Sequence, residues 1–371
     1  MKVLVTGGAG FIGSSIVERL LESGYSVSII DTLDPQVHGT SPTQVSSKAE
    51  FSKADVRDRS MLAEALEGAD AVIHCAATVG VAQSLYRAGR FVDVNVGGTA
   101  LLLELLAQRK RPLKRLIVLT SNTSYGEGLY RRPSDNGWVR VGIRSQQDIS
   151  KHGWDPVCPE TGEVLEAVPT PESSELLARN VYALTKKYQE ELSFSLGEVY
   201  EFPVVCLRLF NVYGPGQSLK NPYTGVLAVF LSRLLAGQAP VIYEDGNQTR
   251  DFVSVHDVVD TVLLALESEA VVGEVLNIGS GIPRRIIDCA RTLAHLAGGE
   301  KIEPDITNKF RKGDIRHCTA DINKAKQLLG YQPRVQWEEG LAELAEWARS
   351  AGWEDHFDQA QSELQERGLL D

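Results

Sequence analysis

The chain has 371 residues, enough for two domains or for one large domain with an appended lobe. With 43% hydrophobic and 23% charged residues, its composition is typical of a globular protein and excludes a disordered, collagen-like or coiled-coil chain. The formal net charge of −11 disfavours binding to nucleic acid or anionic lipid. Any phosphate that the protein binds must therefore be held by a few local cations and backbone amides.

The cysteine pattern favours a reducing compartment. The five cysteines are scattered singly, without a CxxC pair, which argues against a disulfide framework or a cysteine-rich zinc site. No cluster of histidine, cysteine or acidic residues has metal-ligand spacing. The first residues already predict a strand, and no apolar run approaches the roughly 18 residues that span a bilayer. We therefore expect a soluble, cytoplasmic protein without a metal.

Short β-branched runs alternate with amphipathic helical segments in the first half of the chain. The pattern predicts strands at 2–5, 26–30, 71–75 and 115–120, and helices at 12–23, 59–66 and 97–107. Strands that are apolar throughout are typical of burial on both faces, and the βαβα order indicates a parallel sheet covered by helices. The predicted fold class is α/β, with a doubly wound parallel sheet. A TIM barrel is disfavoured because the alternation loses its regularity after about residue 210.

Residues 127–172 interrupt this alternation. The segment contains five prolines and little periodicity, and it is long for a connection between a strand and a helix. It could be a lid or binding loop, or a tolerated surface insertion.

The second half predicts a smaller α+β substrate-binding lobe. Helices are expected at 227–236, 258–267, 286–297 and 337–349, and strands at 240–243 and 274–278. We predict a dinucleotide-binding domain at 1–208 and the smaller lobe at 209–371, with the chain returning to the first domain around 240–260. The acidic, weakly helical tail at 353–371 is expected to be peripheral.

A glycine-rich turn follows the first predicted strand and opens the first helix. Gly7, Gly10 and Gly13 would let the backbone turn tightly and let a pyrophosphate approach the helix N-terminus. Asp31 ends the next strand, where a carboxylate accepts hydrogen bonds from a ribose 2′-OH and repels a 2′-phosphate. The turn could alternatively only pack helix against strand. In this context it predicts a Rossmann-type site that binds NAD rather than NADP.

Tyr182 and Lys186 have the i,i+4 spacing that places two side chains on one helix face. A nearby ammonium lowers the pKa of a phenol, so Tyr182 is a candidate base near neutral pH. Such a pair arises easily by chance. It gains weight from Ser121, at the end of a buried strand, because ligands bind at the carboxyl ends of parallel strands. Ser121, Tyr182 and Lys186 are the candidate catalytic residues.

Together these motifs resemble the extended short-chain dehydrogenase/reductase family, and within it the nucleotide-sugar epimerases and dehydratases. The resemblance covers about residues 1–347 and is weakest in 127–172. One departure is Asn180, because the family commonly has a proline two residues before the tyrosine. The family also pairs two helices of each subunit into a four-helix bundle, which implies a homodimer.

The resemblance extends the list of site residues. The candidate NAD-binding residues are Gly7, Gly10, Phe11, Ile12, Gly13, Asp31, Asp55, Val56, Cys75, Ala76, Ala77, Asn95, Tyr182, Lys186 and Phe210. The candidate residues for a nucleoside-diphosphate sugar are Val79, Ser121, Tyr182, Asn211, Gly225, Val226, Arg250, Arg311 and Asp314. Arg250 and Arg311 lie in the stretches whose arginines hold the diphosphate in the family.

The two residues after Ser121 indicate the reaction type. The resemblance implies an Asp-Glu pair there in the 4,6-dehydratases and a Glu in the uronate decarboxylases, whereas this chain has Asn122 and Thr123. Neither can shuttle a proton. The remaining set of Ser121, Tyr182, Lys186 and NAD implies a 4-epimerase in this family. Tyr182 would take the proton of the sugar O4 while hydride leaves C4 for the nicotinamide, and the 4-keto sugar would turn over before hydride returns.

The substrate is less closely defined. The segments at 79–86, 168–172 and 221–226 resemble most the branch that interconverts dTDP-L-rhamnose and dTDP-6-deoxy-L-talose. A UDP-hexose or UDP-uronate 4-epimerase is the main alternative. A dehydratase or decarboxylase, or a non-catalytic dinucleotide-binding regulator on the same fold, are further alternatives.

Overall fold

The first strand lies in the middle of a seven-stranded parallel sheet. The computed structural model describes residues 1–39, 45–223, 225–299 and 301–370. The strands are β1 (Lys2–Thr6), β2 (Ser26–Asp31), β3 (Glu50–Lys53), β4 (Ala71–His74), β5 (Arg115–Ser121), β6 (Leu129–Arg131), β7 (Trp138–Arg140), β8 (Glu166–Val168), β9 (Val204–Leu209), β10 (Asn211–Tyr213), β11 (Val241–Ile242), β12 (Thr249–Ser254), β13 (Val275–Ile278), β14 (Pro283–Arg285), β15 (Asp305–Ile306) and β16 (His317–Cys318). The sheet order is β13-β9-β5-β4-β1-β2-β3.

Helices cover both faces of this sheet and build most of the second lobe. They are α1 (Phe11–Glu22), α2 (Pro35–His38), α3 (Arg59–Ala65), α4 (Val81–Ser84), α5 (Ala88–Phe91), α6 (Gly98–Ala107), α7 (Gln146–His152), α8 (Val181–Tyr200), α9 (Val226–Leu235), α10 (Val255–Glu267), α11 (Ile286–Leu296), α12 (Asn323–Leu329), α13 (Trp337–Ser350) and α14 (Phe357–Glu366). The predicted elements of the first half form with ends shifted by no more than one residue. The predicted doubly wound α/β fold is confirmed. No described helix is both long and apolar enough to cross a membrane.

Burial explains why the strand predictions hold. All seven residues of β5 are buried, and Leu116, Ile117 and Val118 have no exposed surface. Such a strand can only lie inside a sheet covered on both faces, because each apolar side chain must leave water.

The second lobe has its own sheet and its own core. Strand β12 pairs with β10, β14 and β16, and helices α9, α11 and α13 pack around a separate buried cluster that includes Phe230, Leu293 and Leu344. The chain later returns to the large sheet. Helix α10 lies against α1, where Arg19 binds Asp260 at 2.7 Å, and β13 forms the outermost strand of the seven-stranded sheet. The boundary at residues 208 and 209 stays a prediction.

Residues 127–172 are folded. Strands β7, β6 and β8 form an antiparallel sheet in that order, with α7 beside it and a small core of Tyr130, Val141, Cys158 and Leu165. The Arg140 guanidinium holds the two ends of the segment together. It donates to the carbonyl oxygens of residues 125, 127 and 128 at 2.6 Å and of residue 175 at 3.0 Å.

The prediction that the tail is peripheral is wrong. Helix α14 buries Ala360 and Leu364, and its Phe357 packs under the guanidinium of Arg233 at 4.7 Å. The spacing of these three apolar residues places them on one helix face, a periodicity that the acidic composition of the tail obscures.

Candidate active site

A cleft of about 1190 Å³ lies between the carboxyl ends of the parallel strands and the second lobe. It is lined by every predicted cofactor, catalytic and substrate residue except Asn95. The predicted substrate segment 221–226 also borders the cleft, but its Thr224 lies outside the described residues.

The glycine turn forms one end of the cleft, and it requires glycine. Gly7 has a φ of +68°, and a Cβ on Gly13 would stand 2.1 Å from the Gly7 carbonyl oxygen. Helix α1 begins directly after this turn, and its N-cap residue Gly10 provides no side-chain cap. The first-turn amides of a helix attract an anion. This uncapped terminus on the cleft wall fits the pyrophosphate of NAD.

Asp31 lies beside the turn at the end of β2. Its carboxylate accepts hydrogen bonds from the Ala9 amide at 3.1 Å and the Leu33 amide at 2.9 Å, so its position is fixed. Each carboxylate oxygen has a second lone pair for a ribose hydroxyl. The residues present therefore fit the dinucleotide that the sequence predicts.

Helix α8 presents the predicted catalytic pair. Asn180, which stands where the family commonly has proline, caps this helix by accepting a hydrogen bond from the Ala183 amide at 2.8 Å. The cap places Tyr182 in the first turn and Lys186 one turn later, both on the cleft wall. Ser121, at the end of β5, lies on the same wall, and its hydroxyl interacts with the phenol of Tyr182. The structure thus brings together three residues that the sequence separates by up to 65 positions.

Burial shifts the pKa values of this group. It raises the pKa of Tyr182 to about 12, and the hydrogen bond from Ser121 acts in the opposite direction. Burial lowers the pKa of Lys186 to about 8, and its ammonium donates to the Leu119 carbonyl oxygen at 2.9 Å. The expected lowering of the phenol pKa is therefore wrong for this structure, because removal of the phenol from water outweighs the hydrogen bond.

Thr123, which stands where the sequence pattern indicates a missing acid, also contacts Ser121. Its hydroxyl donates to Ser121 Oγ at 2.9 Å, and its amide donates to the same oxygen at 3.3 Å. With its acceptor capacity used in this way, Ser121 is left to donate its own hydrogen toward Tyr182. The turn after β5 therefore orients the serine, which spacing alone does not reveal.

Asn95 lies behind the cleft wall. It is fully buried, accepts from the Thr78 amide at 2.7 Å and donates to the Thr185 hydroxyl at 2.9 Å. These bonds tie the loop after β4, which includes the predicted Ala76 and Ala77, to helix α8. Asn95 can thus position both without touching a ligand.

The two predicted diphosphate arginines differ in their surroundings. The Arg250 guanidinium donates to the carbonyl oxygens of residues 249, 315 and 316 at 2.7 to 3.0 Å. Within the described residues no carboxylate pairs with it. Arg311 instead binds Asp314 at 3.0 Å and lies over the Tyr243 ring. The positive charge of Arg250 is therefore less neutralised by carboxylates than that of Arg311.

Two polar groups face the cleft without a partner in the described part of the chain. The Oδ1 atom of Asn211 is buried and accepts no hydrogen bond there. Arg179, which the motif search missed, is exposed at the cleft wall and makes no ion pair with another described residue. A buried acceptor without a partner costs free energy, so Asn211 fits a donor on a ligand.

A buried ion cluster supports the loop that precedes β12, the strand that carries Arg250. Arg144, from the insertion, binds Glu244 at 2.8 Å, and Arg316 binds Glu244 at 2.8 Å and Asp245 at 2.6 Å. The side chains of Arg144, Glu244 and Arg316 are at most 5% exposed. The insertion thus contributes to the second half of the cleft through charges that no sequence motif identified.

Comparison with known proteins agrees with this arrangement. The sequence profile of the NAD dependent epimerase/dehydratase family matches residues 3–152 and 157–279. A dTDP-L-rhamnose 4-epimerase from Burkholderia thailandensis is 37% identical over 355 residues, which cover 93% of this chain and 94% of the relative. The structure of UDP-glucose 4-epimerase from Thermotoga maritima with UDP-glucose is 31% identical, with a TM-score of 0.77, and covers 94% of this chain and 99% of that chain.

A second solved structure holds both kinds of ligand. UDP-glucuronic acid 4-epimerase from Bacillus cereus, in complex with UDP-glucuronic acid and NAD, is 28% identical with a TM-score of 0.75. The match covers 94% of this chain and 99% of the Bacillus cereus protein. The similarity therefore extends over both halves of the cleft.

Proposed function

Because the chain belongs to the NAD dependent epimerase/dehydratase family, we propose that it is a nucleotide-sugar 4-epimerase that interconverts dTDP-L-rhamnose and dTDP-6-deoxy-L-talose. NAD is its cofactor, and the uncapped glycine turn and Asp31 are the groups that would hold it. The observation that carries the proposal is that Ser121, Tyr182 and Lys186 line one wall of the cleft. Asn122 and Thr123 follow Ser121 where a lyase would have acids.

Each of the three residues has a distinct task in this reaction. Tyr182 takes the proton of the sugar hydroxyl at C4 and later returns it, while Ser121 orients that hydroxyl. Lys186 would supply a positive charge that favours the phenolate against the effect of burial, which raises the pKa of Tyr182 to about 12. Bound NAD supplies the hydride acceptor and donor for the same carbon, so neither substrate nor product requires a second redox partner.

The second half of the cleft supports inversion at one carbon. Arg250 and Arg311 would hold the diphosphate, and Asn211 would accept a hydrogen bond from the substrate. Anchoring through the nucleotide leaves the sugar free to present either face to the cofactor. An elimination would need a further proton donor, and Asn122 and Thr123 cannot act as one.

The dTDP-sugar assignment rests on the 37% identical relative and on the segments at 79–86, 168–172 and 221–226. A UDP-hexose or UDP-uronate substrate is the alternative, supported by the fold of UDP-sugar epimerases that share 28% to 31% identity. One measurement distinguishes the dTDP-sugar from the UDP-sugar substrates and also tests the epimerase reaction.

We would follow dTDP-L-rhamnose, UDP-galactose and UDP-glucuronate separately by NMR with the purified protein and no added NADH. Inversion at C4 of dTDP-L-rhamnose at unchanged mass is the expected result. Inversion of only a UDP-sugar would contradict the proposed dTDP-sugar substrate but support the proposed epimerase reaction. A loss of water or carbon dioxide would identify a lyase, and no change in any tube would reject these three substrates.

A homodimer in the cytoplasm completes the proposal. Helix α8 exposes Tyr188, Val199 and Tyr200, and the neighbouring Val92 is 46% exposed. An apolar face of this kind on a long helix fits pairing with a second copy. The free cysteines fit a reducing compartment. Light scattering at the mass of one chain would contradict the dimer.

A further inference from the structure

We propose that the C-terminal helix α14 forms part of the substrate site and that Gln361 hydrogen-bonds the pyrimidine base of the nucleotide sugar. This inference rests on the proposed function, because it assumes that the sugar lies at Tyr182 and the diphosphate at Arg250 and Arg311. It assigns a binding role to the tail.

The tail is bound across the cleft at several separate places. Near its start, Arg233 of α9 binds Asp355 at 3.3 Å and Asp358 at 3.0 Å. At its end, Lys312 donates through its amide to the carbonyl oxygen of residue 369 at 3.2 Å and through its ammonium to that of residue 368 at 2.8 Å. The tail therefore adjoins the segment that carries Arg311.

A carboxylate in the middle of α14 joins the tail to both halves of the molecule. Glu363 accepts hydrogen bonds from Tyr223 at 2.5 Å and from Tyr86 at 3.0 Å. Tyr86 follows α4 in the cofactor half, whereas Tyr223 precedes α9 in the second lobe. The helix thus spans the cleft between them and has a fixed orientation.

One face of α14 lines the cleft. Phe357, Ala360, Gln361 and Leu364 all border it, at the i, i+3, i+4 and i+7 spacing of a single helix face. Three of these residues are apolar. Gln361 is the polar residue among them, it is half-buried, and within the described residues its amide has no hydrogen-bond partner.

The order of groups along the cleft places a nucleoside at this face. The reacting carbon must lie at Tyr182, so the diphosphate at Arg250 and Arg311 separates the sugar from the nucleoside. The cleft lining also includes α9, residues 241–243 and α14, and Arg311 lies over the ring of Tyr243. Apolar Phe357 and Leu364 suit the flat face and ribose of a nucleoside.

The chemistry of Gln361 fits a pyrimidine base. A carboxamide offers one donor and one acceptor side by side, and the imide edge of thymine or uracil offers the complementary N–H and carbonyl oxygen. Both bases share this edge. Gln361 would therefore bind dTDP and UDP alike without distinguishing them.

The test is calorimetric titration of dTDP, UDP and inorganic pyrophosphate into the NAD-loaded full-length protein. We expect Gln361→Ala to weaken the affinity for dTDP and for UDP by about five- to tenfold, which corresponds to the loss of one or two hydrogen bonds. The affinity for pyrophosphate should be unchanged. Gln359→Ala, an exposed glutamine on the same helix that does not line the cleft, is the matched control and should stay within about twofold for all three.

Each other outcome overturns the proposal. Unchanged affinity of Gln361→Ala for both nucleotides would show that the amide does not touch the base. An equal loss for pyrophosphate would show a structural effect, and no binding of either nucleotide to the unaltered protein would exclude a pyrimidine site. The titration measures binding without turnover, so its result can be interpreted even if the epimerase assay shows no activity.

Discussion

The two halves of the cleft are built in different ways. The cofactor half consists of a glycine turn, strand ends and one helix that all follow from parallel βα units. It offers a ligand the uncapped N-terminus of α1 and the carboxylate of Asp31. The second half depends on charged side chains from distant segments. Arg144 and Glu244 are 100 residues apart, and Glu244 and Arg316 are 72 apart.

This difference predicts different consequences of mutation. Regular strands and helices fix the position of a residue in the cofactor half, so a substitution there should remove chemistry and leave the fold intact. A substitution in the ion cluster should instead destabilise the protein, because it leaves buried charges without partners. The following predictions test that contrast.

The largest effect is expected for Tyr182→Phe. Removing the phenol hydroxyl removes the proton acceptor, so kcat should fall by about 10³-fold while the nucleotide sugar still binds. Tyr25→Phe, which removes a phenol hydroxyl bound to Glu267 outside the cleft, serves as the control and should keep full activity. Unchanged turnover of Tyr182→Phe would refute the proposed mechanism.

Arg316→Ala tests the second half. Its side chain is 1% exposed and binds Glu244 and Asp245, so we expect the free energy of unfolding to fall by about 3–5 kcal/mol in urea denaturation. Arg291→Ala, whose side chain is 57% exposed and pairs with Glu303 at 3.7 Å, should change it by less than about 0.5 kcal/mol. Equal, small effects would mean that the cluster does not stabilise the fold.

What the sequence predicted follows the same division. The positions of the sheet, the glycine turn and the candidate catalytic residues were predictable, because local periodicity and motif spacing determine where they lie in a parallel sheet. The folding of the insertion, the ion cluster of Arg144 and the position of α14 were not, because they depend on contacts between segments whose sequences carry no shared period. Thr123 shows a third case, in which a residue was noted but its hydrogen bond depends on the turn geometry.

A pH profile tests the charge on Lys186. Burial lowers its pKa to about 8, below the ordinary value of 10.5, so the ammonium is lost as pH rises through about 8. If the reaction needs that charge, kcat/KM should fall about tenfold per pH unit above pH 8. Circular dichroism over the same range separates this fall from unfolding. Constant kcat/KM up to pH 10 would contradict a role for the ammonium.

The smallest effect is expected for Thr123→Val, which keeps the shape of the side chain but removes the hydroxyl that donates to Ser121 Oγ. The Thr123 amide still donates to the same oxygen, so the serine should keep most of its orientation. We expect kcat to fall about fivefold, the value of one hydrogen bond, with little change in stability. Thr123→Ser, which retains the hydroxyl, should restore the rate. If Thr123→Val keeps full activity and Thr123→Ser loses it, the methyl group matters instead of the hydroxyl, and the turn after β5 acts through packing as the distant contacts of the second half do.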